Sequence, residues 1–419
     1  MKRIALAIAA AALALVVATS AFGQVLKGTI SFMGWGDEAE RLMYETVFKD
    51  FETKNPGVKV NYIFTPDDYY TKLQTMIAGG TPPDLFYLAE GRIAQFAKDG
   101  VCLDLDPYII KYPEIAADFV DGLLRYGNYA GKQYAIPKDW QPILMYINTD
   151  IFKAAGVAIP TSAWTMDDYL AIAKKLTKVD AKGKTAQWGA AVENYRADWM
   201  VFARNYGGEW FKNGKSNWSD PAVIKGMEVL CKVIADRSAP SPATLSGMGQ
   251  SQTQLFETGK VGMFPTGRWA VPTYTETCKD FNWTAVEMPK GTTRSNPIIT
   301  AALTASASTK NPELTIALLR HVLSDKSLAT VMKLGIGMPP YRRLLAKKEF
   351  VSEPPAAAPF IATGAYIDQQ VQYAAVSTAL YAKYQDIIAA QLDLAMNGDV
   401  SMKEAAAAID KKANSELFK

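Results

Sequence analysis

From Lys27 onward the chain alternates short β-prone runs with helical runs whose apolar residues fall on one side, and this alternation limits the fold more than any other feature. The run "GTISFMGW" is apolar and β-prone, "DEAERLMYETVFKDFETKNPG" places Leu42, Val47, Phe48 and Phe51 on one helical face, and "VKVNYIFT" alternates up to Pro66. Asp37 and Glu38 suit the positive end of that helix, and Asn55-Pro56-Gly57 closes it. A second helix, "DDYYTKLQTMIAGG", ends on Gly79 and Gly80, and "PDLFYLA" reads as a buried strand. Strand and helix in strict turn predict an α/β sheet with crossover helices.

The pattern continues through "QYAIP", "ILMYINTDIFKAAG" and "TMDDYLAIAKKLT", where Thr165 and Asp168 form a capping box. Two later helices, "DPAVIKGMEVLCKVIAD" and "KNPELTIALLRHVLSD", start with proline at the first helical position. The C-terminal "SMKEAAAAIDKKANSEL" carries a second capping box, Ser401 with Glu404. The stretch "EFVSEPPAAAP" is too proline-rich for either regular element.

The chain opens "MKRIALAIAAAALALVVATSAFGQ": a basic start, fifteen apolar or small residues from Ile4 to Ala18, and small residues at Ala21 and Gly23. That order predicts a cleaved secretory signal over 1–23. The apolar run falls short of the roughly 20 residues that span a bilayer. No cysteine stands near the cleavage point, so a lipid-free, periplasmic mature chain is expected. Lys2 and Arg3 leave with the signal, so the 45 basic residues fall to 43 against 42 acids. Nucleic-acid binders concentrate positive charge, and this balance argues against them.

Catalytic chemistry finds few footholds. The single histidine, His321, sits among Leu318, Leu319 and Val322 on a mostly apolar helix and reads as structural, which leaves histidine-based zinc sites and Ser-His-Asp triads hard to build. Cys102, Cys231 and Cys278 lie far apart without CxxC spacing; they permit one disulfide and a leftover thiol, or three buried thiols. Glycosidase chemistry needs only two carboxylates about 5–10 Å apart. Asp104 and Asp106 of "CLDLDPYI" are a candidate pair, although a solvated strand end accounts for them as well.

The stretch "GMFPTGRW", Gly262 to Trp269, imitates a phosphate loop in its glycine spacing alone. Such a loop needs its backbone N–H groups, a lysine after the second glycine and then a Ser or Thr for magnesium. Here Pro265 removes an N–H, Arg268 replaces the lysine and Trp269 stands at the metal position.

Together the signal, "GTISFMGWGDEAE", "FETKNPGVKVNY", "YYTKLQTMIAGGTPPDLFYL", "QYAIP" before "LMYINTDIFKAAG", and "LFETGKVGMFPTGRW" resemble the solute-binding proteins of bacterial ABC importers, in their carbohydrate-binding, maltose-binding-protein-like branch. The resemblance implies a two-lobed type II periplasmic-binding fold, each lobe a mixed sheet flanked by helices, with three hinge crossings near Pro137–Pro142, Asn296–Thr300 and Met338–Pro340. It puts residues 24–138 with 299–338 in the first lobe, and 139–298 with 339–419 in the second. It further implies a monomer without catalysis, metal or cofactor that encloses a sugar by hinge closure and hands it to the membrane permease.

Sugar rings pack their C–H faces on flat aromatics while their hydroxyls seek carboxylate, amide or guanidinium partners. By that signature the candidate ligand residues are Trp35, Asp37 and Glu38 after the first strand, Gln74 on the second helix, and Glu90 after "PDLFYL". Asp139 and Trp140 stand at the first crossing, with Tyr195, Trp199 and Trp210 in "ENYRADWMVFARNYGGEWF". Arg268 and Trp269 close "GMFPTGRW", and Tyr341 and Arg342 lie in "GIGMPPYRR". Sugar binders of this kind often carry a glycine-rich turn before the second crossing, but "GTTRSNPIITAALTAS" has no glycine after Gly291. That departure leaves a polyol or a sugar or glycerol phosphate ester as the alternative ligand. A secreted carbohydrate-active enzyme is the alternative class.

Overall fold

The computed structural model describes residues 26–297, 299–347, 357–368 and 378–418. The expected signal at 1–23 and residues 349–356 of the proline-rich stretch lie outside the described residues.

Two sheets carry the architecture, built from β1 (Gly28–Gly34), β2 (Val58–Phe64), β3 (Leu85–Ala89), β4 (Ile136–Pro137), β5 (Ile143–Asn148), β6 (Met263–Gly267), β7 (Trp283–Glu287) and β8 (Ala301–Ala305). The first sheet runs β2-β1-β3-β8-β4, with β1 parallel to β2 and β3, and with β8 antiparallel to β3 and β4. The second runs β6-β5-β7 with antiparallel pairs, and a parallel bridge between Trp188 and Val261 extends it beyond β6. Pro265 is tolerated because β6 is an outer strand of that trio.

Helices α1 (Glu38–Lys54) and α2 (Tyr69–Ala78) cover the first sheet. Around the second stand α3 (Met166–Leu176), α4 (Arg196–Arg204) and α5 (Pro221–Ala235), while α6 (Ala270–Thr277) leads out of β6. Helices α7 (Pro312–Val322) and α8 (Asp325–Lys333) return to α1, and α9 (Thr378–Asn397) and α10 (Met402–Glu416) pack on α5. Both expected capping boxes form, at Thr165 with Asp168 and at Ser401 with Glu404.

Helix α1 buries Met43, Tyr44, Val47, Phe48 and Phe51 against the first sheet. Each such side chain removed from water stabilises the fold by about 1.5–3 kcal/mol. Leu42, expected on that face, is half exposed, because the buried stripe runs through 40, 43, 44, 47, 48 and 51. His321 is a core-edge residue, its Nε2 3.1 Å from the Val47 carbonyl, and burial lowers its pKa. All three cysteines are free thiols, so the disulfide alternative is not realised.

The chain passes from the first sheet to the second between β4 and β5, and back between β7 and β8. Those two passages and the segment after α8 lie side by side. Gln141 N donates to Ile299 O at 2.8 Å, while Trp140 and Met338 exchange two backbone hydrogen bonds of 3.0 Å.

Candidate functional site

A cavity of about 580 Å³ opens between the two sheets and takes side chains from both halves and from the passages. Trp35, half-buried after β1, rests edge-on against Tyr69 at 4.8 Å and Tyr87 at 5.1 Å. Opposite it in the sequence of elements, Trp269 follows β6 and is also half-buried at the cavity wall. A Cβ on Gly267 would lie only 2.0–2.4 Å from the Trp269 ring, so glycine is what lets the indole fold back there. Tyr70 and Tyr195 add two more aromatic side chains to the lining.

The polar floor is a buried ionic cluster. Lys138 Nζ lies 2.6 Å from Asp139 Oδ2 and 3.2 Å from Glu40 Oε1, and above the Tyr87 ring at 4.8 Å. All three charged residues are less than a tenth exposed. Burial pushes the Glu40 carboxyl up more than the adjacent ammonium draws it down. Burial opposes the Lys138 cation, but Asp139 and Glu40 reverse the balance and hold its pKa well above the usual lysine value. Gly36, at φ +144°, makes room for this arrangement, since a Cβ there would meet Glu40 Oε2 at 2.3 Å. Asp37 caps α1 by accepting from Glu40 N at 2.8 Å.

A second ion pair joins the halves. Glu90, just past β3, accepts from Arg196 at the start of α4, and its other oxygen accepts from Thr300 N at 3.3 Å. Burial disfavours the guanidinium, yet the Glu90 carboxylate more than offsets it.

Of the residues expected from the sequence, Trp35, Asp37, Asp139, Tyr195 and Trp269 line the cavity, and Glu90 reaches it through Arg196. The others are placed elsewhere. Trp140, Trp199 and Trp210 are core side chains, at most 3 % exposed: Trp140 Nε1 donates to Pro339 O at 2.9 Å, Trp199 packs edge-on against Trp218 at 6.0 Å, and Trp210 lies tilted against the same ring at 6.2 Å. Tyr341 is buried, with its hydroxyl donating to Ile115 O at 3.1 Å. Glu38 and Arg342 face solvent, paired with Arg41 and Asp121 at 2.6 Å each, and Gln74 is exposed on α2. Arg268 is buried above the Phe360 ring at 4.8 Å rather than in the cavity wall. Asp104 and Asp106 form a turn in which Asp104 binds Lys132 at 2.6 Å, away from the cavity lining.

Sequence reasoning passed over Glu40, Tyr70, Lys138, Gln141 and Arg196, although each stands in or next to a stretch singled out above. In "KDWQ" the crossing turns Lys138, Asp139 and Gln141 to the cavity and Trp140 away from it. No strand or helix period encodes that selection.

Among the described residues no cluster of acids, cysteines and histidine could hold a metal ion, and no helix is long and apolar enough to cross a membrane. The family model of the bacterial extracellular solute-binding proteins matches residues 36–329, well over half of the chain. The chain belongs to that family. Its members are binding proteins of transporters and not enzymes. A putative binding protein of Brucella abortus is 28% identical over 276 residues, 64% of this chain and 66% of the relative, so the match spans just under two thirds of that relative's length. The diacetylchitobiose binding protein DasA of Streptomyces coelicolor is 26% identical over 330 residues, 75% and 74% of the two chains. Among solved structures, the ABC substrate-binding protein Lmo0181 of Listeria monocytogenes, in complex with cycloalternan, superposes with a TM-score of 0.81 at 25% identity, covering 93% of this chain and 99% of that one. This solute-binding protein therefore has the two-lobed α/β fold of type II periplasmic-binding proteins.

Proposed function

We propose that this solute-binding protein captures a mono- or oligosaccharide in the cavity between its lobes, closes around it, and delivers it to the permease of an ABC importer. One observation carries the reading: Trp35 and Trp269, contributed by different lobes, share one cavity with the Asp139 carboxylate and the Gln141 amide. Flat rings and convergent planar hydrogen-bonding groups are what a sugar needs, and a ligand that touches both lobes biases the hinge toward closure. The cycloalternan bound to the Listeria protein and the diacetylchitobiose named for the Streptomyces one support the same ligand class. The protein acts as a monomer, without nucleic acid, in the periplasm and without a lipid on its new terminus.

A thermal-shift screen of sugars, polyols, peptides, amines and metals tests the ligand class. A sugar at 100 times its Kd adds about 2.7 kcal/mol to native stability. Stabilisation by a peptide, amine or metal with none by any carbohydrate would overturn the reading. The intact mass of the exported chain checks the lipid-free terminus.

A further inference from the structure

Gln141 stands where the passages between the lobes meet, and its hydrogen bonds divide sharply between its two ends. Its backbone N–H donates to Ile299 O at 2.8 Å, and its Nε2 donates to Ile336 O at 2.6 Å. The Ile336 carbonyl can only accept, so the NH₂ end must face it and the amide orientation is fixed. Oε1 is therefore directed elsewhere. That oxygen is buried and has no hydrogen-bond partner among the described residues, although the side chain lines the cavity. A buried acceptor without a donor costs free energy that a bound donor recovers.

The cavity's charges limit what the donor can be attached to. Both cations among the described lining residues are already matched, Lys138 by Asp139 and Glu40, and Arg196 by Glu90. A phosphate ester would bring about −1.5 to −2 charge and three acceptor oxygens toward an unpaired acceptor and three carboxylates. A sugar hydroxyl brings a donor and no charge. Within the sugar-capture reading, on which this step rests, we propose that Gln141 accepts a hydrogen bond from a ligand hydroxyl and that the cavity takes neutral carbohydrates while rejecting their phosphate esters.

The test uses the full mature chain and calorimetric titration with glucose, maltotriose and diacetylchitobiose beside glucose 6-phosphate and glycerol 3-phosphate. At least one neutral sugar should bind, and the phosphate esters at least a hundredfold more weakly. Monodeoxy analogues of the bound sugar should include one that loses about tenfold on the wild-type protein but nothing further on Gln141→Met. This second readout separates ligand contact from a general loosening of the hinge, which would weaken all analogues alike. Tighter binding of a phosphate ester than of its parent sugar overturns the inference and leaves sugar capture standing. So does a full deoxy penalty for every analogue on Gln141→Met. Failure of every sugar, phosphorylated or not, overturns the sugar-capture reading and this inference with it.

Discussion

Arg196 and Glu90 are paired between the halves of the chain that carry the two sheets, the guanidinium at the start of α4 and the carboxylate just past β3. Breaking a buried pair by removing one partner costs about 3–5 kcal/mol while the other stays buried, and opening the hinge is the way to return it to water. Glu90→Gln should therefore enlarge the radius of gyration of the ligand-free protein in small-angle scattering, and weaken sugar affinity at least tenfold. An unchanged scattering curve would show that the pair does not hold the lobes together.

Lys138→Met leaves the Glu40 and Asp139 carboxylates buried beside each other without their cation. Chemical denaturation at pH 7 should show a loss of about 3–5 kcal/mol. Glu38→Ala removes an exposed, solvent-screened pair with Arg41 and should leave the denaturation midpoint essentially unchanged.

Tryptophans of the cavity and of the core should separate cleanly. Trp269→Ala should weaken sugar binding at least tenfold with little effect on the denaturation midpoint, because the ring is half-buried at the cavity wall. Trp210→Ala, fully buried, should cost about 3–5 kcal/mol of stability and leave the affinity of the folded fraction unchanged. Titration calorimetry and urea unfolding of both variants decide it.

The Glu193 and Asp198 carboxyls share a buried site in which Asp198 Oδ2 accepts from Glu193 N at 2.7 Å. Burial raises Glu193 from 4.5 to about 7 and Asp198 well above its usual value. An acid raised in the folded state holds a proton that the unfolded chain has lost, so the Glu193 contribution to stability declines as pH climbs from 4.5 through about 7, and the raised Asp198 carboxyl adds a decline of the same sign. Glu193→Gln should flatten that decline and gain roughly 1–3 kcal/mol at pH 8 relative to wild type. Unfolding midpoints from pH 5 to 8 for both proteins measure it.

The α/β class, the helix caps and several of the stretches that line the cavity were legible in the residues themselves. Local rules govern them: period 2 or 3.6, proline at a helix start, a capping serine or threonine. The stretch "GMFPTGRW" was legible in part. Pro265, Arg268 and Trp269 spoke against a phosphate loop from the residues alone, whereas the place of the stretch in outer strand β6, with Trp269 at the cavity wall, came from the tertiary structure.

Which member of each stretch faces the cavity was decided by the tertiary structure. Trp140 and Gln141 are adjacent, yet one fills a core against Pro339 and the other lines the cavity, because the crossing bonds Trp140 to Met338 and Gln141 to Ile299. Arg268 and Trp269 divide in the same way as the chain turns out of β6. The sequence alone determined that this chain forms alternating strands and helices, with sugar-suited residues at their junctions. Only the meeting of segments some 160–200 residues apart determined which of those residues line the cavity, since burial and charge pairing depend on neighbours that local pattern does not contain.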